Sequence, residues 1–301
     1  LASGDWAWFS SPTPGLSNKG KTIRGLISPP QFSAKRGIYN TPFRVHLTTD
    51  EPDAVIRYTT DYSEPTITNG KVYNESLEVR RTMVLRAAVY KEGMLPSRIE
   101  THTYVYNLGN SVTSLPMLSL VTERSNIWGR TGIMETSPRN TTKRGIAWER
   151  PVSMELIYPD TGETLHANAG IRVQGGAYIR GRYNPNSGPP AGKYSFRLYF
   201  RGDYGLGRLR YPFFPDLQVE DFNHIVLRAG MNDHTNPFII DELVRRLAAD
   251  MGQVSARGTF MNLYLNGKLQ GYYNPTERIG SDFLNSWNGT ESEWDIVAQY
   301  G

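Results

Sequence analysis

Cations concentrate in one stretch of the chain. Residues 172–210 carry eight basic residues against the single acid Asp203, whereas 26–107 holds ten basic and nine acidic residues. The eight are Arg172, Arg180, Arg182, Lys193, Arg197, Arg201, Arg208 and Arg210. Because guanidinium and ammonium groups bind phosphate and carboxylate oxygens, this stretch predicts a surface for a polyanion. The ordinary alternative is a basic strand face that only water solvates.

Tyrosines interleave these cations, with six between Tyr178 and Tyr211. Aromatic rings among basic residues are one signature of nucleic-acid binding, because bases stack on the rings. A solvated basic strand is the more ordinary interpretation of the same pattern. We therefore expect no nucleic-acid partner.

Two runs within this stretch alternate as strands do. In 169–174, Ile171 and Val173 alternate with Arg172 and Gln174, and in 193–200 every second residue is apolar. The second run places Tyr194, Phe196, Leu198 and Phe200 on one face and Lys193, Ser195, Arg197 and Tyr199 on the other. The cations therefore share the polar face. The Gly- and Pro-rich segment 175–192 between the runs fits a ligand-covering loop or an ordinary surface connection.

Two adjacent carboxylates, Asp241 and Glu242, lie in the clearest predicted helix. Asn236 is its expected N-cap, Pro237 its first residue and Gly252 its end. The apolar stripe of this helix is Ile240, Leu243, Val244, Leu247 and Met251. At about 100° per residue, Asp241 flanks the stripe. Glu242 points almost opposite, where an i,i+4 ion pair with Arg246 is expected. The Asn266-Gly267 pair that follows predicts a β-hairpin.

Several other chemistries are excluded. The chain has no cysteine, which excludes thiolate nucleophiles and thiolate metal sites. Its five histidines (46, 102, 166, 224 and 234) lack metal-like spacing, and no Gly-x-Ser-x-Gly motif occurs. Apolar runs such as PMLSLV are far below the roughly 18 residues of a membrane span. The opening LASGDWAWFS lacks a signal-like start, so we expect any signal to be removed or to lie upstream.

Linker-like runs in the sequence divide the chain into candidate domains. It has 301 residues, of which 39% are hydrophobic, enough for one large or two to three ordinary globular domains. Linker-like runs occupy 10–21, 27–33 and 107–114. Between 38 and 106, short β-rich runs alternate with Asp-, Pro- and Gly-containing turns, which predicts a small β-sandwich. The overall expectation is a mostly β protein.

Two resemblances cover the first third. The run SGDWAWFSSPTPGLSN resembles the closing segment of a lamin-tail domain, which gives 1–25 as the end of such a domain with its linker. Residues 26–107 are similar to the chitobiase/β-hexosaminidase C-terminal domain family, on IRYT, Asp-x-Ser-x-Pro-Thr and LRAAVY. That family usually has Asp-Gly where this chain has Asp61-Tyr62. The resemblance implies an Ig-like β-sandwich.

Residues 115–301 resemble the N-terminal part of the CotH family of atypical protein kinases. The matching motifs, in order, are LPMLSLVT, WERPVSMELIYPDTGE, NAGIRVQGG, KYSFRLYFR, YGLGRLRYPFF, IVLRAG, RLAADMG and LNGKLQGYYNPTERI. The resemblance implies an α+β kinase-like small lobe, an antiparallel sheet plus one main helix. It places the catalytic and metal-binding aspartates in a second lobe beyond Gly301. We therefore expect no catalytic residue and no metal ligand in this fragment, and the fragment alone to be inactive.

The resemblance also implies roles for five residues. Lys193 is the expected nucleotide-binding lysine, assisted on the phosphates by Arg172 and Arg197. Asp241 is the helix carboxylate expected to steady it. Glu277 follows the hairpin, and backbone around Thr276–Ile279 is expected to face an adenine. The alternatives are a solvated strand-edge Lys193 and a structural Glu277. The cofactor would be ATP with Mg²⁺ or Mn²⁺, in the complete kinase only.

The second domain's family also suggests the carboxylate pair of β-hexosaminidases. Those acids project into a sugar cleft from a barrel strand, whereas Asp241 and Glu242 lie within an amphipathic helix. We drop that interpretation.

Two functions follow as hypotheses. The first is the N-terminal portion of a secreted bacterial CotH-like kinase, which transfers the ATP γ-phosphate to Ser or Thr of extracellular or coat proteins. The alternative is a non-catalytic cell-surface structural or adhesive protein, with the β-sandwich as a spacer. In that case the aromatics Trp6, Trp8, Tyr58 and Tyr62 would contact cell-wall glycan. Either places the protein outside the bacterial cell or on its surface.

Overall fold

The chain divides into two compact units, Leu1–Leu108 and Gly109–Gly301. The computed structural model describes residues 8–9, 14–15, 22–106, 114–175, 193–215, 217–230 and 239–297. The predicted loop 175–192 with its two arginines, the predicted helix start at Asn236 and Pro237, and Trp6 lie outside the described residues, apart from Gly175.

The first unit consists of short strands. They are β1 (Trp8–Phe9), β2 (Thr22–Ile23), β3 (Gln31–Phe32), β4 (Gly37–Tyr39), β5 (Phe43–Val45), β6 (Leu47–Thr48), β7 (Val55–Thr59), β8 (Lys71–Val72), β9 (Leu77–Val79), β10 (Met83–Tyr90) and β11 (Glu100–Tyr106). One sheet has the order β4-β11-β10-β7-β8, and the pairs β3-β6 and β5-β9 form smaller sheets. The predicted β-rich runs are therefore strands.

Alternating apolar residues of these strands form the core of the first unit. Leu85, Ala87 and Val89 of β10 are fully buried, and they share a cluster with Val45 of β5 and Val79 of β9. Because strand side chains alternate between faces, the main sheet and the smaller sheets bury one face each against the same cluster. This is the predicted β-sandwich.

A closed barrel forms the second unit. The strands of this unit are β12 (Met117–Val121), β13 (Arg150–Ile157), β14 (Thr164–Val173), β15 (Phe196–Tyr199), β16 (Leu209–Arg210), β17 (Asp221–Phe222), β18 (His224–Arg228), β19 (Met261–Leu265) and β20 (Lys268–Glu277). The barrel order is β12-β13-β14-β15-β18-β20-β19. Every pair is antiparallel except β12 with β19, the parallel pair that closes the barrel. The antiparallel sheet agrees with the sequence, but its closure was not predicted.

The barrel interior is filled by the apolar face predicted for β15. Tyr194, Phe196, Leu198 and Phe200 are all at least 97% buried and belong to one core cluster. Register places Leu198 beside Ile171 of β14 and Ile225 of β18. Burying these side chains is worth roughly 1.5–3 kcal/mol each.

The predicted hairpin is present between β19 and β20. Leu265 pairs with Lys268, and Asn266 and Gly267 between them have φ of 49° and 70°. Positive φ at both central residues is the type I′ pattern that Asn-Gly favours. The Asn266 side chain also accepts a hydrogen bond from the Thr122 backbone N–H at 2.9 Å, which ties the turn to the end of β12.

Helices are few in the described residues: α1 (Arg124–Ile127), α2 (Ile240–Asp250) and α3 (Ser281–Asn288), with short 3₁₀ turns at Asn140–Thr142 and Ile146–Trp148. Helix α2 is the predicted main helix, and Gly252 follows its end with φ of 81°. None of the described helices has the length and apolarity that crossing a bilayer needs.

The orientation of α2 is the reverse of the one the sequence suggested. The apolar stripe is solvent-exposed, with Leu243, Val244 and Leu247 about half accessible, whereas Glu242 is 5% exposed. A hydrophobic stripe ordinarily faces the core, so we expected Glu242 to be the solvated residue. The charged side of α2 instead packs on the barrel because β18 and β20 offer it polar partners.

Candidate functional site

The outer face of the barrel carries the predicted site residues. On β14, β15, β18 and β20, register aligns Arg172 with Arg197, Arg197 with Val226 and Val226 with Thr276. These residues alternate with core residues such as Leu198, so their side chains point away from the barrel interior. We call this surface the outer face.

Lys193 lies at the start of the outer face, ahead of β15. Its Nζ donates a hydrogen bond to the Tyr272 carbonyl oxygen at 2.6 Å and lies 5.1 Å and 4.6 Å from the ring centroids of Tyr272 and Tyr273. Burial lowers the pKa of Lys193 to about 8. The predicted alternative, a lysine simply pointing into water, does not describe this half-buried group.

Three guanidinium groups surround Tyr199 on β15. Arg172, Arg197 and Arg201 lie over its ring, with their Cζ atoms 5.2, 5.6 and 5.3 Å from the centroid. Such contacts are cation–π interactions. Burial raises the pKa of Tyr199, which keeps its hydroxyl protonated.

His224 of β18 also contacts Tyr199. Its ring packs edge-on against Tyr199 at 5.0 Å. Burial, followed by the charges of Arg197, Arg201 and Arg278, lowers the pKa of His224 to about 4. The imidazole is therefore neutral at physiological pH and adds no charge. We call Arg172, Arg197, Tyr199, Arg201, His224 and Arg278 the Tyr199 cluster.

The structure separates the three cations that were predicted to bind the phosphates. Lys193 and Arg197 are four positions apart on an extended chain, which corresponds to about 13 Å at 3.3 Å per residue. Lys193 contacts Tyr272 and Tyr273, whereas Arg172 and Arg197 flank Tyr199. Lys193 therefore lies apart from the two arginines, whereas the sequence suggested that the three cations act together.

Asp241 makes its ion pairs with two arginines. Its Oδ2 lies 3.0 Å from Arg228 Nε on β18 and 2.9 Å from Arg245 Nη1 one helical turn later. The sequence proposed Asp241 as the partner of Lys193, and these pairs give it other partners. The i,i+4 spacing of Asp241 and Arg245 is visible in the sequence, but the approach of Arg228 depends on how α2 docks.

Glu242 is the buried carboxylate of the pair. It accepts hydrogen bonds from Arg245 Nη2 at 2.5 Å, Arg246 Nε at 2.8 Å and Asn274 Nδ2 at 3.1 Å. Burial alone would raise the pKa of Glu242, but the hydrogen bond from Asn274 and the charge of Arg245 outweigh it and lower that pKa. The predicted pair with Arg246 is confirmed, but it lies against the barrel and fixes α2 there.

Glu277 is the last residue of β20 and is 5% exposed. It pairs in register with the core residue Ile225 of β18, so its side chain lies on the core side of the strand. It accepts hydrogen bonds from the Arg257 backbone N–H at 2.8 Å and from Trp287 Nε1 at 3.2 Å. Burial raises its pKa to about 7. This geometry agrees with the structural alternative.

The backbone expected to face an adenine is already paired at two positions. Thr276 is bridged to Gly258 on one side and paired with Val226 on the other, and the Glu277 N–H donates to the Arg257 carbonyl at 3.0 Å. An adenine edge needs backbone groups without partners. Thr276 and Glu277 therefore do not supply that edge.

A metal ion would need several carboxylate or imidazole side chains close together. Across the described ranges, no three His, Asp or Glu side chains come together as a group that could hold a metal ion. We therefore derive no step through a metal.

The aromatics proposed for glycan contact lie in the first unit. Tyr58 packs edge-on against Tyr73 at 6.4 Å, and Tyr62 occupies a turn with φ of 74°. Trp8 belongs to β1. Neither Tyr58 nor Tyr62 lines the groove of this unit that is formed by Val55, Ile67 and Met94.

Comparison with protein families identifies two segments. Residues 34–101 match the chitobiase/beta-hexosaminidase C-terminal domain, and residues 179–300 match the CotH kinase protein family. The second match covers β15, β18, α2, β19 and β20, and therefore Lys193, Arg197 and Asp241. Both resemblances are thus supported over the matched residues, while the CotH resemblance of 115–178 and the lamin-tail resemblance of 1–25 stay predictions. No curated protein matches the chain.

Proposed function

We propose that the barrel unit is the nucleotide-binding part of a secreted bacterial CotH-like protein kinase. The complete enzyme would transfer the ATP γ-phosphate to Ser or Thr of extracellular or coat proteins. The observation that carries this proposal is the CotH kinase match over 179–300, because the matched segment includes Lys193 and Arg197 of the outer face.

Lys193 is the residue we propose for nucleotide contact. Phosphoryl transfer depends on positioning and on cations that offset the charge of the phosphates. Lys193 is held by the Tyr272 carbonyl and two tyrosine rings at the outer face, so its ammonium is preoriented. With a pKa of about 8, it is mostly charged at neutral pH.

Helix α2 gives this site its support. Asp241 pairs with Arg228 of β18, and Glu242 pairs with Arg245 and Arg246 against Asn274 of β20. These contacts fix the helix on the strands that flank Lys193 and Arg197. We propose that Asp241 positions the sheet through Arg228.

The proposal is tested by thermal denaturation of the 301-residue chain with and without ATP. A ligand that binds the folded state raises the unfolding midpoint, by an amount equivalent to about 2.7 kcal/mol at one hundred times its dissociation constant. We expect ATP to raise the midpoint of the barrel unit and adenosine to raise it less. The ATP concentration is raised in 10-fold steps into the millimolar range. An unfolding midpoint that stays constant throughout would count against nucleotide binding.

A second function, in a cell-surface adhesive protein, is favoured by the match of 34–101 to the chitobiase/beta-hexosaminidase C-terminal domain. In this alternative the β-sandwich contacts glycan through Tyr58 or Tyr62. Retention of the chain on chitin or peptidoglycan, compared between the wild type and Tyr58→Ala, tests it. Equal retention of both proteins would remove Tyr58 from the interface.

A further inference from the structure

We propose that a basic surface in the connection between β12 and β13 binds an acidic segment of another protein. We call this surface the basic platform, and it consists of Trp128, Arg130, Arg139, Lys143, Arg144 and Ile146. The platform lies outside the residues that match the CotH kinase family, and neither Lys193 nor ATP takes part in it. The inference therefore does not rest on the nucleotide proposal.

Acidic side chains of the same connection do not offset the charge of the platform. Residues 128–146 contain four basic residues, all of them exposed, and the single acid Glu135. Glu135 accepts hydrogen bonds from three backbone N–H groups of its own loop, at 3.0, 3.2 and 3.3 Å. Glu149, which follows the platform, is 6% exposed and pairs with Arg201 at 3.2 Å. In the part of the chain that the structure describes, none of the four platform cations pairs with a carboxylate.

Two side chains hold the connection in one arrangement. Asn140 is 3% exposed, and its Nδ2 donates a hydrogen bond to the Arg130 carbonyl at 2.8 Å, which joins the backbone of Arg130 to the segment that carries Arg139. Arg150 Nη2 donates to the Thr131 carbonyl at 2.8 Å. Cations on an ordered loop lose less conformational entropy on binding than cations on a mobile one. The platform is therefore preorganised for a charged partner.

Apolar side chains are exposed among these cations. Trp128 is 42% exposed and Ile146 is 58% exposed. Lys143 Nζ and Arg150 Cζ lie 5.9 Å and 5.3 Å from the ring centroid of Trp148, so this third aromatic is already covered by cations. Tryptophan and arginine are enriched at protein interfaces and among the residues that dominate their binding energy. The platform has this composition.

An acidic protein segment fits the platform better than other polyanions do. Guanidinium groups form bidentate hydrogen bonds with carboxylates, and complementary charge supplies specificity. Leucine or aromatic side chains of the same segment would pack on Trp128 and Ile146. A polysaccharide has no such side chains. A nucleic acid needs flat rings for its bases, of which the platform exposes only Trp128.

Fluorescence anisotropy of labelled synthetic peptides, measured with the 301-residue chain, provides the test. The first peptide intersperses aspartates and glutamates with leucines, and the second has serine at each leucine position. We expect the leucine peptide to bind at low ionic strength and to be released by added salt, which screens exposed charges. The double substitution Arg130→Gln/Arg144→Gln should weaken its binding about 5- to 25-fold, because each exposed ion pair contributes up to about 5-fold in affinity.

Matched controls separate a binding surface from an effect of net charge. Arg81 and Arg98 are exposed in the first unit, so Arg81→Gln/Arg98→Gln removes the same charge and should leave peptide affinity within about 2-fold. Equal weakening by the two arginine pairs would overturn the proposal, as would a leucine peptide that does not bind at low ionic strength. A melting curve for each variant verifies that it is folded.

The apolar part of the platform has its own test. Ile146→Ser should weaken the leucine peptide and leave the affinity of the serine peptide unchanged. Ile67→Ser, at a position 63% exposed in the first unit, is the matched control and should change neither affinity. Unchanged binding of the leucine peptide to Ile146→Ser would mean that charge alone is recognised, which would overturn the proposal of a protein partner.

Heparin and single-stranded DNA serve as probes of the other two classes of polyanion. We expect the leucine peptide to bind more tightly than either polymer at the same ionic strength. Tighter binding of heparin or DNA, weakened as strongly by Arg130→Gln/Arg144→Gln, would assign the platform to that polymer and overturn the proposal. Both arginines lie outside the matched kinase segment, so either result leaves nucleotide binding at Lys193 to be judged by its own experiment.

Discussion

At the scale of single residues, two buried titratable groups change the folding stability in opposite directions as the pH changes. Burial raises the pKa of Glu277 to about 7 and, with the neighbouring arginines, lowers that of His224 to about 4. The folded state therefore binds the Glu277 proton more tightly and the His224 proton less tightly than the unfolded chain. By linkage, Glu277 contributes stability that is lost as pH rises from 4.5 to 7, and His224 contributes stability that is lost as pH falls from 6.5 to 4.

The first prediction concerns Glu277→Gln, whose single amide oxygen can accept from Trp287 Nε1 or from the Arg257 N–H but not from both. The lost hydrogen bond lowers its stability equally at every pH, so the prediction concerns only the change with pH. Its stability relative to the wild type should increase as pH rises from 4.5 to 7, by up to about 3 kcal/mol at 1.36 kcal/mol per unit. Urea denaturation at several pH values measures this difference. Glu291→Gln, an exposed position in the same unit, is the control, and a Glu277→Gln difference as flat as the control's would contradict the prediction.

A second prediction at this scale concerns the Asp61-Tyr62 turn. Tyr62 has φ of 74°, and Asp61 accepts hydrogen bonds from the Ser63 N–H at 3.2 Å and hydroxyl at 2.6 Å. The family usually has glycine at this position, which adopts positive φ without steric cost. Tyr62→Gly should therefore stabilise the first unit by about 0.5–1 kcal/mol. Loss of stability by the same amount would mean that Tyr62 packing outweighs its backbone strain.

At the scale of elements, helix α2 shows where sequence patterns mislead. Its period and its end at Gly252 could be predicted, but the stripe of Leu243, Val244 and Leu247 was expected to face the core and is exposed. Docking is decided by the partners that the barrel offers, here Arg228 and Asn274, and no local pattern contains them. The strand faces of β15 were predicted correctly because a two-residue period leaves only one apolar face.

The third prediction follows from this orientation. The double substitution Leu243→Gln/Leu247→Gln should change the free energy of unfolding by less than about 1 kcal/mol, since both side chains are half exposed and Gln is a good helix former. Leu198→Ala, in the barrel core, should cost about 2–5 kcal/mol. Chemical denaturation of both variants measures the difference. A core-sized loss in the double variant would show that α2 buries its apolar stripe.

At the scale of the whole molecule, the order of a β-sandwich and a mostly antiparallel sheet with one main helix could be predicted from the sequence. The Asn266-Gly267 hairpin could be predicted as well, and so could the shared strand face of the cations. Barrel closure through β12 and β19 could not, because it joins residues more than a hundred positions apart. The division of the cations into Lys193 and the Tyr199 cluster also depends on tertiary contacts, those of Tyr272 and Arg278.

Nucleotide binding at Lys193 is the central claim, and calorimetry of ATP binding to two variants of the 301-residue chain tests it most directly. Lys71 lies exposed on β8 of the first unit, so Lys71→Ala removes the same charge away from the barrel. We predict that Lys193→Ala weakens ATP binding at least 10-fold, more than the roughly 1 kcal/mol of an exposed ion pair allows, and that Lys71→Ala leaves it unchanged. Equal ATP affinity in the two variants would contradict the claim.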